Sequence, residues 1–315
     1  MIKKNLGIAT KLVSKPQYDQ SFITHPLFQH PSFKTNELKA IEFNHRPTVT
    51  VGDKIANGSV QFFRSCFDFA TGYKHPGKYG YNEKSIMTEN KWLTRCIFLE
   101  SVAGIPGMTA AFLRHLHSLR LLKRDKAWVE TLLDEAYNER IHLLTFINLG
   151  KPSWFTRMFI FLGQGVFCNL FFFNYLFFPK FCHRFVGYLE EEAVSTYTHF
   201  LKELDEGHLP KFNNMKVPSI AIHYYDNLHE NSTIKDLILN IRADEAKHRE
   251  VNHTFANLHQ KTDRNPYALT LADEQPTNDL KYHKPEGWER EDIIMKSEPQ
   301  EGNVKTSEKA NEKVY

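Results

Sequence analysis

Apolar side chains return at helical intervals along most of the chain, and no stretch of useful length alternates apolar and polar positions as a strand does. The expected fold class is therefore all-α. Ile55, Phe62, Phe63, Cys66 and Phe69 form one apolar stripe, with Asp53 as its expected N-cap and Tyr73 as its end. A connector rich in Gly, Pro, Lys and Tyr runs on to Asn90. A long helix is expected from Trp92 to Leu122, interrupted or kinked near Pro106, where the backbone N–H is missing. Asp125 to Leu149 reads as another, closed by Gly150 and Pro152. Two further helices are expected over Phe185–Glu206 and Ser232–His259.

Three stretches break this rhythm. Residues 21–46 mix Pro, His and Phe without a period and read as an extended arm. Residues 154–178 are apolar almost throughout. From about Lys261 the chain turns polar and carries charges of both signs, the composition of a disordered tail. The expected organisation is an arm over residues 1–50, a helical domain over 51–260 and a tail over 261–315.

Composition adds a surplus of apolar surface, since Phe occurs 25 times against 15 Gly. The formal charge of +3 is too mild for a nucleic-acid binder, and no lysine-rich run with interleaved aromatics is present. Cys66, Cys96, Cys168 and Cys182 are scattered without a CxxC pair, which fits a reducing compartment. The first carboxylate is Asp19, and the acid-free stretch before it fits either a mitochondrial presequence without arginine or an unstructured N-terminus.

The candidate chemistry lies in a repeated pattern. Glu139-Arg-Ile-His142 and Glu245-Ala-Lys-His248 each place a Glu one helical turn before a His, so both side chains share a face. Glu100 interrupts the apolar run Cys96 to Ala103, where a lone buried carboxylate would be costly. Glu190-Glu191-Glu192 supplies a fourth helix with acids; Glu190 is the expected ligand because Tyr197 follows two turns along the same face. One Glu from each of two helices and one Glu-x-x-His from each of two others is the ligand set of a ferritin-like four-helix bundle holding two iron ions. Four carboxylates can bridge two cations, and two imidazoles complete the set while leaving positions for dioxygen.

In family order, the motifs Leu99–Met108, Asn138–Leu143, Leu189–Ala193 and Arg242–Arg249 closely resemble those of the alternative oxidases, the mitochondrial di-iron ubiquinol oxidases. The resemblance spans roughly Val51 to Leu258; Ser101 replaces a common Thr and Ile141 a common Met. It implies Glu100, Glu139, His142, Glu190, Glu245 and His248 as the ligands of two iron ions. It also implies Tyr197 as the redox tyrosine, and Asn138 and Asp244 as partners orienting the ligand histidines. The quinol cavity would be lined by Arg95, Cys96, Leu99, Glu192, Ala193 and Thr196, with Glu192, Ala193 and Thr196 on a different face from Glu190 and Tyr197. The reaction implied is ubiquinol oxidation with reduction of dioxygen to water and no proton pumping. Other readings of the same bundle are a quinone-biosynthesis hydroxylase and a ferritin-like iron-binding protein.

No charge occurs between Arg157 and Lys180, and about twenty apolar residues suffice to cross a bilayer. A single crossing would leave Glu100, Glu139 and His142 on the other side from Glu190, Glu245 and His248. An interfacial helix, joined by the amphipathic segment 53–73, avoids that separation. The resemblance agrees, implying a monotopic homodimer on the matrix face of the inner mitochondrial membrane, with His115 and its helical neighbours as a possible contact face.

Overall fold

The computed structural model describes residues 26–31, 33–75, 85–268, 276–278 and 280–297. Among these the chain forms nine α-helices and no strand. A short α1 (Thr35–Lys39) and α2 (Val51–Thr71) precede α3 (Glu89–Leu121) and α4 (Trp128–Leu149). They are followed by α5 (Trp154–Phe177), α6 (Pro179–Asp205), α7 (Ser219–Tyr224), α8 (Ile234–Asn257) and α9 (Arg290–Ser297). The core is a four-helix bundle in which α3 packs on α4 and α6 packs on α8. Two glycines allow these approaches. A Cβ on Gly107 would stand 2.7 Å from the Leu132 carbonyl oxygen of α4, and one on Gly187 would stand 2.4 Å from the His253 ring of α8.

Several helix ends differ from expectation for local reasons. Thr50, rather than Asp53, caps α2: its hydroxyl accepts the Asp53 N–H at 3.1 Å, while the Asp53 carboxylate accepts the Thr50 N–H at 2.8 Å. Asp53 is thereby free to bind Arg184 of α6 through its other oxygen, at 2.9 Å. The helix expected from Asp125 begins at Trp128, because Lys126 and Ala127 take positive φ of 65° each. Asp125 still serves that terminus by accepting the Val129 N–H at 2.8 Å. No interruption occurs at Pro106, which α3 carries in its interior. Helix α6 starts at Pro179, six residues before the expected Phe185, with proline in the first turn, where a missing N–H costs nothing.

Helix α8 is buried along nearly its whole length although its sequence is largely polar. The arm and the tail supply the cover. His30 bonds the Asp244 carboxylate at 2.7 Å, and Glu191 of α6 accepts from the Arg46 N–H at 2.9 Å beside His45 at 2.6 Å. From the C-terminal side, Glu250 accepts from His283 at 2.7 Å, the Lys284 N–H at 2.8 Å and the Trp288 indole at 3.2 Å. Disorder of the tail is thus corrected for its described part, which packs against α8; residues 298–315 and the segment before Ser21 lie outside the described residues.

Arg290 clasps Asp263 through two hydrogen bonds, 2.6 and 3.0 Å, and so fastens the start of α9. Burial raises the Asp263 pKa, but the Arg290 bond and the His259 N–H outweigh it and bring the group down to about 2. A carboxylate with a depressed folded pKa stabilises the fold above its ordinary 3.8 and loses that contribution as pH falls toward 2. Asp263→Asn is expected to speed amide exchange across 281–297 at neutral pH without changing exchange in α8, and acidifying wild type from pH 4 to 2 should reproduce the effect. Unchanged exchange in that segment would refute the clasp.

The remaining two long helices cover the bundle on one side, α2 against α6 and α5 against α3. Their outer faces are apolar and exposed: Val51, Ile55, Phe62 and Phe69 on α2, and Trp154, Phe155, Phe161 and Phe173 among others on α5. Only Phe171 and Tyr175 of α5 are buried. Its polar side chains are satisfied locally. Gln164 donates to the Ser101 carbonyl of α3 at 2.7 Å, and Asn169 and Asn174 each donate to their own helix four residues back at 2.8 Å.

Candidate metal centre

The four bundle helices bring all six expected ligands to one place. Glu100 comes from α3, Glu139 and His142 from α4, Glu190 from α6, and Glu245 and His248 from α8. They form two groups whose ligand atoms lie within 4.8 Å of one another: Glu100, Glu139, His142 and Glu245 in one, Glu139, Glu190, Glu245 and His248 in the other. Glu139 and Glu245 belong to both. Those two carboxylates would be shared by a pair of cations held there, with one Glu and one His completing each group.

The donor atoms fit metal ions better than they fit each other. His248 Nδ1 stands 2.7 Å from Glu139 Oε1, and His142 Nδ1 stands 3.2 Å from Glu245 and 3.3 Å from Glu100. Even so, both Nδ1 atoms, both Glu139 oxygens and one oxygen each of Glu100 and Glu245 make no hydrogen bond while fully buried. Buried polar atoms are normally paired, so a cluster aimed at shared points without mutual bonds has the geometry of ligands. Electrostatics agree. Burial, reinforced by Glu245 and Glu139, pushes the Glu100 and Glu190 carboxyls well up. Two divalent cations would balance four carboxylates and reverse that push.

The outer face of His142 is fixed by a hydrogen-bond network. Its Nε2 lies 3.0 Å from Asp244, which also accepts from Tyr225 at 2.7 Å, from Asn138 at 2.9 Å and from His30 at 2.7 Å. Burial would raise the Asp244 carboxyl, but His30 and His142 hold it far below the usual range. With Nε2–H donated to Asp244, the lone pair sits on Nδ1, facing the carboxylates. Asp244 is the direct partner of His142. Asn138 differs from expectation: it reaches His142 only through Asp244 and touches neither ligand histidine directly. Tyr225 and His30 were missed from sequence because neither belongs to a spaced motif.

Tyr197 is fully buried, and its hydroxyl donates to Glu100. It also lines a cavity of about 600 Å³ between α2, α3, α5 and α6 that reaches Glu100, Glu190 and Glu245 at its inner end. Phe63, Phe67, Phe159, Leu162 and Val166 form much of the wall. Arg95, Leu99, Glu192, Ala193 and Thr196 line it, and Cys96 does not. Cys96 is 0% exposed, and burial pushes its thiol far up. The two faces of α6 that looked separate in sequence open onto this same cavity. Arg64 and Asp68 of α2 were not foreseen. Arg64 pairs with Glu192 and with Asp68 at 3.3 Å, and Asp68 binds Arg95 at 2.7 Å. Arg95 also lies over the Tyr73 ring at 3.8 Å, which holds its guanidinium flat at the polar end of the cavity.

The sequence profile of the alternative oxidases matches residues 33–257, a span that contains all six converging side chains. The chain belongs to the alternative oxidase family. It is 62% identical to the mitochondrial alternative oxidase of Scheffersomyces stipitis over 286 residues, covering 88% of this chain and 80% of that protein. It is 59% identical to the one of Wickerhamomyces anomalus over 307 residues, 93% and 90% of the two chains, and 60% identical to alternative oxidase 2 of Candida albicans over 285 residues, 88% and 78%. This oxidase is accordingly an oxidoreductase of the ubiquinol oxidase type.

Proposed function

We propose that this oxidase takes electrons from ubiquinol and reduces dioxygen to water at two iron ions held by Glu100, Glu139, His142, Glu190, Glu245 and His248. The observation that carries this reading is the pair of four-residue groups sharing Glu139 and Glu245, reached from one side by an apolar cavity with a polar end. Two iron ions held there would supply the redox chemistry. The chain itself does the rest. Arg95 and Glu192 hold the hydroxylated ring, and the Phe-rich wall takes the isoprenoid tail. Asp244 keeps His142 in one tautomer, and Tyr197 holds a proton at its phenol beside Glu100.

The location proposed is the matrix face of the inner mitochondrial membrane, without crossing it. Support comes from three sources. The relatives named above are called mitochondrial. Helices α3 and α5 are both apolar and long enough to span a bilayer, yet ligands from before and after α5 meet within 4.8 Å, which a single crossing by α5 could not allow. The exposed aromatic faces of α2 and α5 are what an interfacial pair presents to lipid. Met108, Phe112, His115 and Leu119 form an exposed stripe on α3 that a second copy of the chain would cover in a homodimer.

Purified protein in detergent is expected to contain two irons and to consume oxygen with ubiquinol in the presence of cyanide. Phe161→Glu with Phe173→Glu, both exposed and outside the cavity wall, should abolish flotation with vesicles while leaving that detergent activity intact. A hydroxylated quinone product would instead favour the biosynthetic hydroxylase, and vesicle binding unchanged in the double variant would refute the interfacial face.

A further inference from the structure

A second cavity, of about 60 Å³, reaches the carboxylate and histidine cluster at His248 and Asp244 and shares no lining residue with the quinol cavity. Its wall also carries Asp134, Glu135, Asn138 and Lys247. At its rim Thr131 and Asp134 are half-buried and Asn278 is exposed, so it opens toward solvent between α4, the arm and the tail. One wall atom asks for a donor. The Asn138 amide nitrogen is committed to Tyr224 and Asp244, both at 2.9 Å, and its Oδ1 is buried without a partner. A polar cavity needs only about 10–15 Å³ and a few polar partners to hold a water. This one has room for more than one.

The chemistry makes water at a buried centre, and that water needs a way out. Oxidation of two ubiquinols yields two quinones, four protons and four electrons; dioxygen takes up four electrons and four protons and becomes two waters. While quinol fills the apolar cavity, that cavity carries no water chain between solvent and the cluster. Resting on the oxidase reading above, we propose that the second cavity is a water-filled port, through which product water leaves the centre and protons exchange between it and solvent. Asp134 and Asn138 anchor its water on the α4 side, and the His248 ring forms its inner wall. Neither Asp134 nor Asn278 belongs to the six converging side chains or lines the quinol cavity, so the port can be altered without replacing a residue of either.

The test uses full-length, iron-loaded protein. A crystal structure that orders solvent should show water bonded to Asn138 Oδ1, and a dry cavity would overturn the proposal. Asp134→Leu and Asn278→Trp, which obstruct the rim from two sides, should each lower kcat about tenfold and raise the solvent deuterium isotope effect, leaving iron content and the KM for ubiquinol unchanged. Asp134→Asn, which keeps the polar rim, should retain wild-type turnover. Wild-type kcat and isotope effect in both obstructing variants would overturn the port. Failure of the oxidase reading would show separately, as wild-type protein without iron or without quinol-dependent oxygen uptake, and the solvent structure remains decisive for the cavity in either case.

Discussion

Glu139→Gln is expected to fold, to bind no iron and to show no quinol-dependent oxygen uptake. Glu139 is one of two residues common to both candidate metal groups, so its loss removes a ligand from each position at once. The amide keeps the shape of the side chain, and α4 should hold its packing. What disappears is one negative charge and the ability to give an anionic oxygen to each of two cations. Burial would push the Glu139 carboxyl up, but His142 and His248 outweigh it and keep the group ionised throughout the working range. Altering even an outer partner of a metal ligand typically costs 10–100-fold in metal affinity or activity, and a shared ligand should cost more. Glu192→Gln makes the contrast. It lies in neither metal group, so iron should stay at two per chain while the KM for ubiquinol rises. Iron retained in Glu139→Gln, measured by metal analysis and Mössbauer spectroscopy, would remove Glu139 from the ligand set.

The central part of this site could be read from sequence because ligand geometry imposes spacing. Glu-x-x-His on a helix is a one-turn pattern, and Glu100 within Cys96 to Ala103 is a conflict with its apolar surroundings that a metal would resolve. Tyr225, His30, Arg64 and Asp68 carry no such mark. They reach the site from a loop, from the arm and from α2, through folds of the chain that spacing does not encode. Helix α8 illustrates the same limit. Its polarity on every side suggests a solvated helix, yet one face turns Glu245 and His248 toward the carboxylate and histidine cluster, while Glu250, Arg249 and Asp244 are covered by His283, Asn44 and His30. The described part of the tail looked disordered for a similar reason: its polar groups are paired, His283 with Glu250 of α8, Arg290 with Asp263 and Glu289 with Arg46, and composition alone cannot distinguish a paired charge from a solvated one. Boundaries failed where a single residue decided them, as with Thr50, Ala127 and Pro179.

Tyr197→Phe separates holding the metal from using it. Tyr197 is in neither candidate metal group, and its ring lies nearly parallel to Phe146, 6.2 Å between centroids and 9° between planes. Phenylalanine keeps that ring and its volume, so stability and iron content should match wild type. Only the hydroxyl that donates to Glu100 is lost. Burial, with the Glu100 charge beside it, pushes the Tyr197 pKa well above its ordinary value, so the phenol keeps its proton at every working pH. A phenol that keeps its proton beside Glu100 would be placed to give up a proton and an electron to a metal centre held there. Positioned proton transfer is worth about 10²–10⁴-fold in rate, and kcat should fall within that range while the KM for ubiquinol stays near wild type. Two other outcomes would redirect the reading. Wild-type kcat would make the Tyr197 hydroxyl a spectator, and loss of iron with loss of rate would make it a brace for Glu100 rather than a participant in the chemistry.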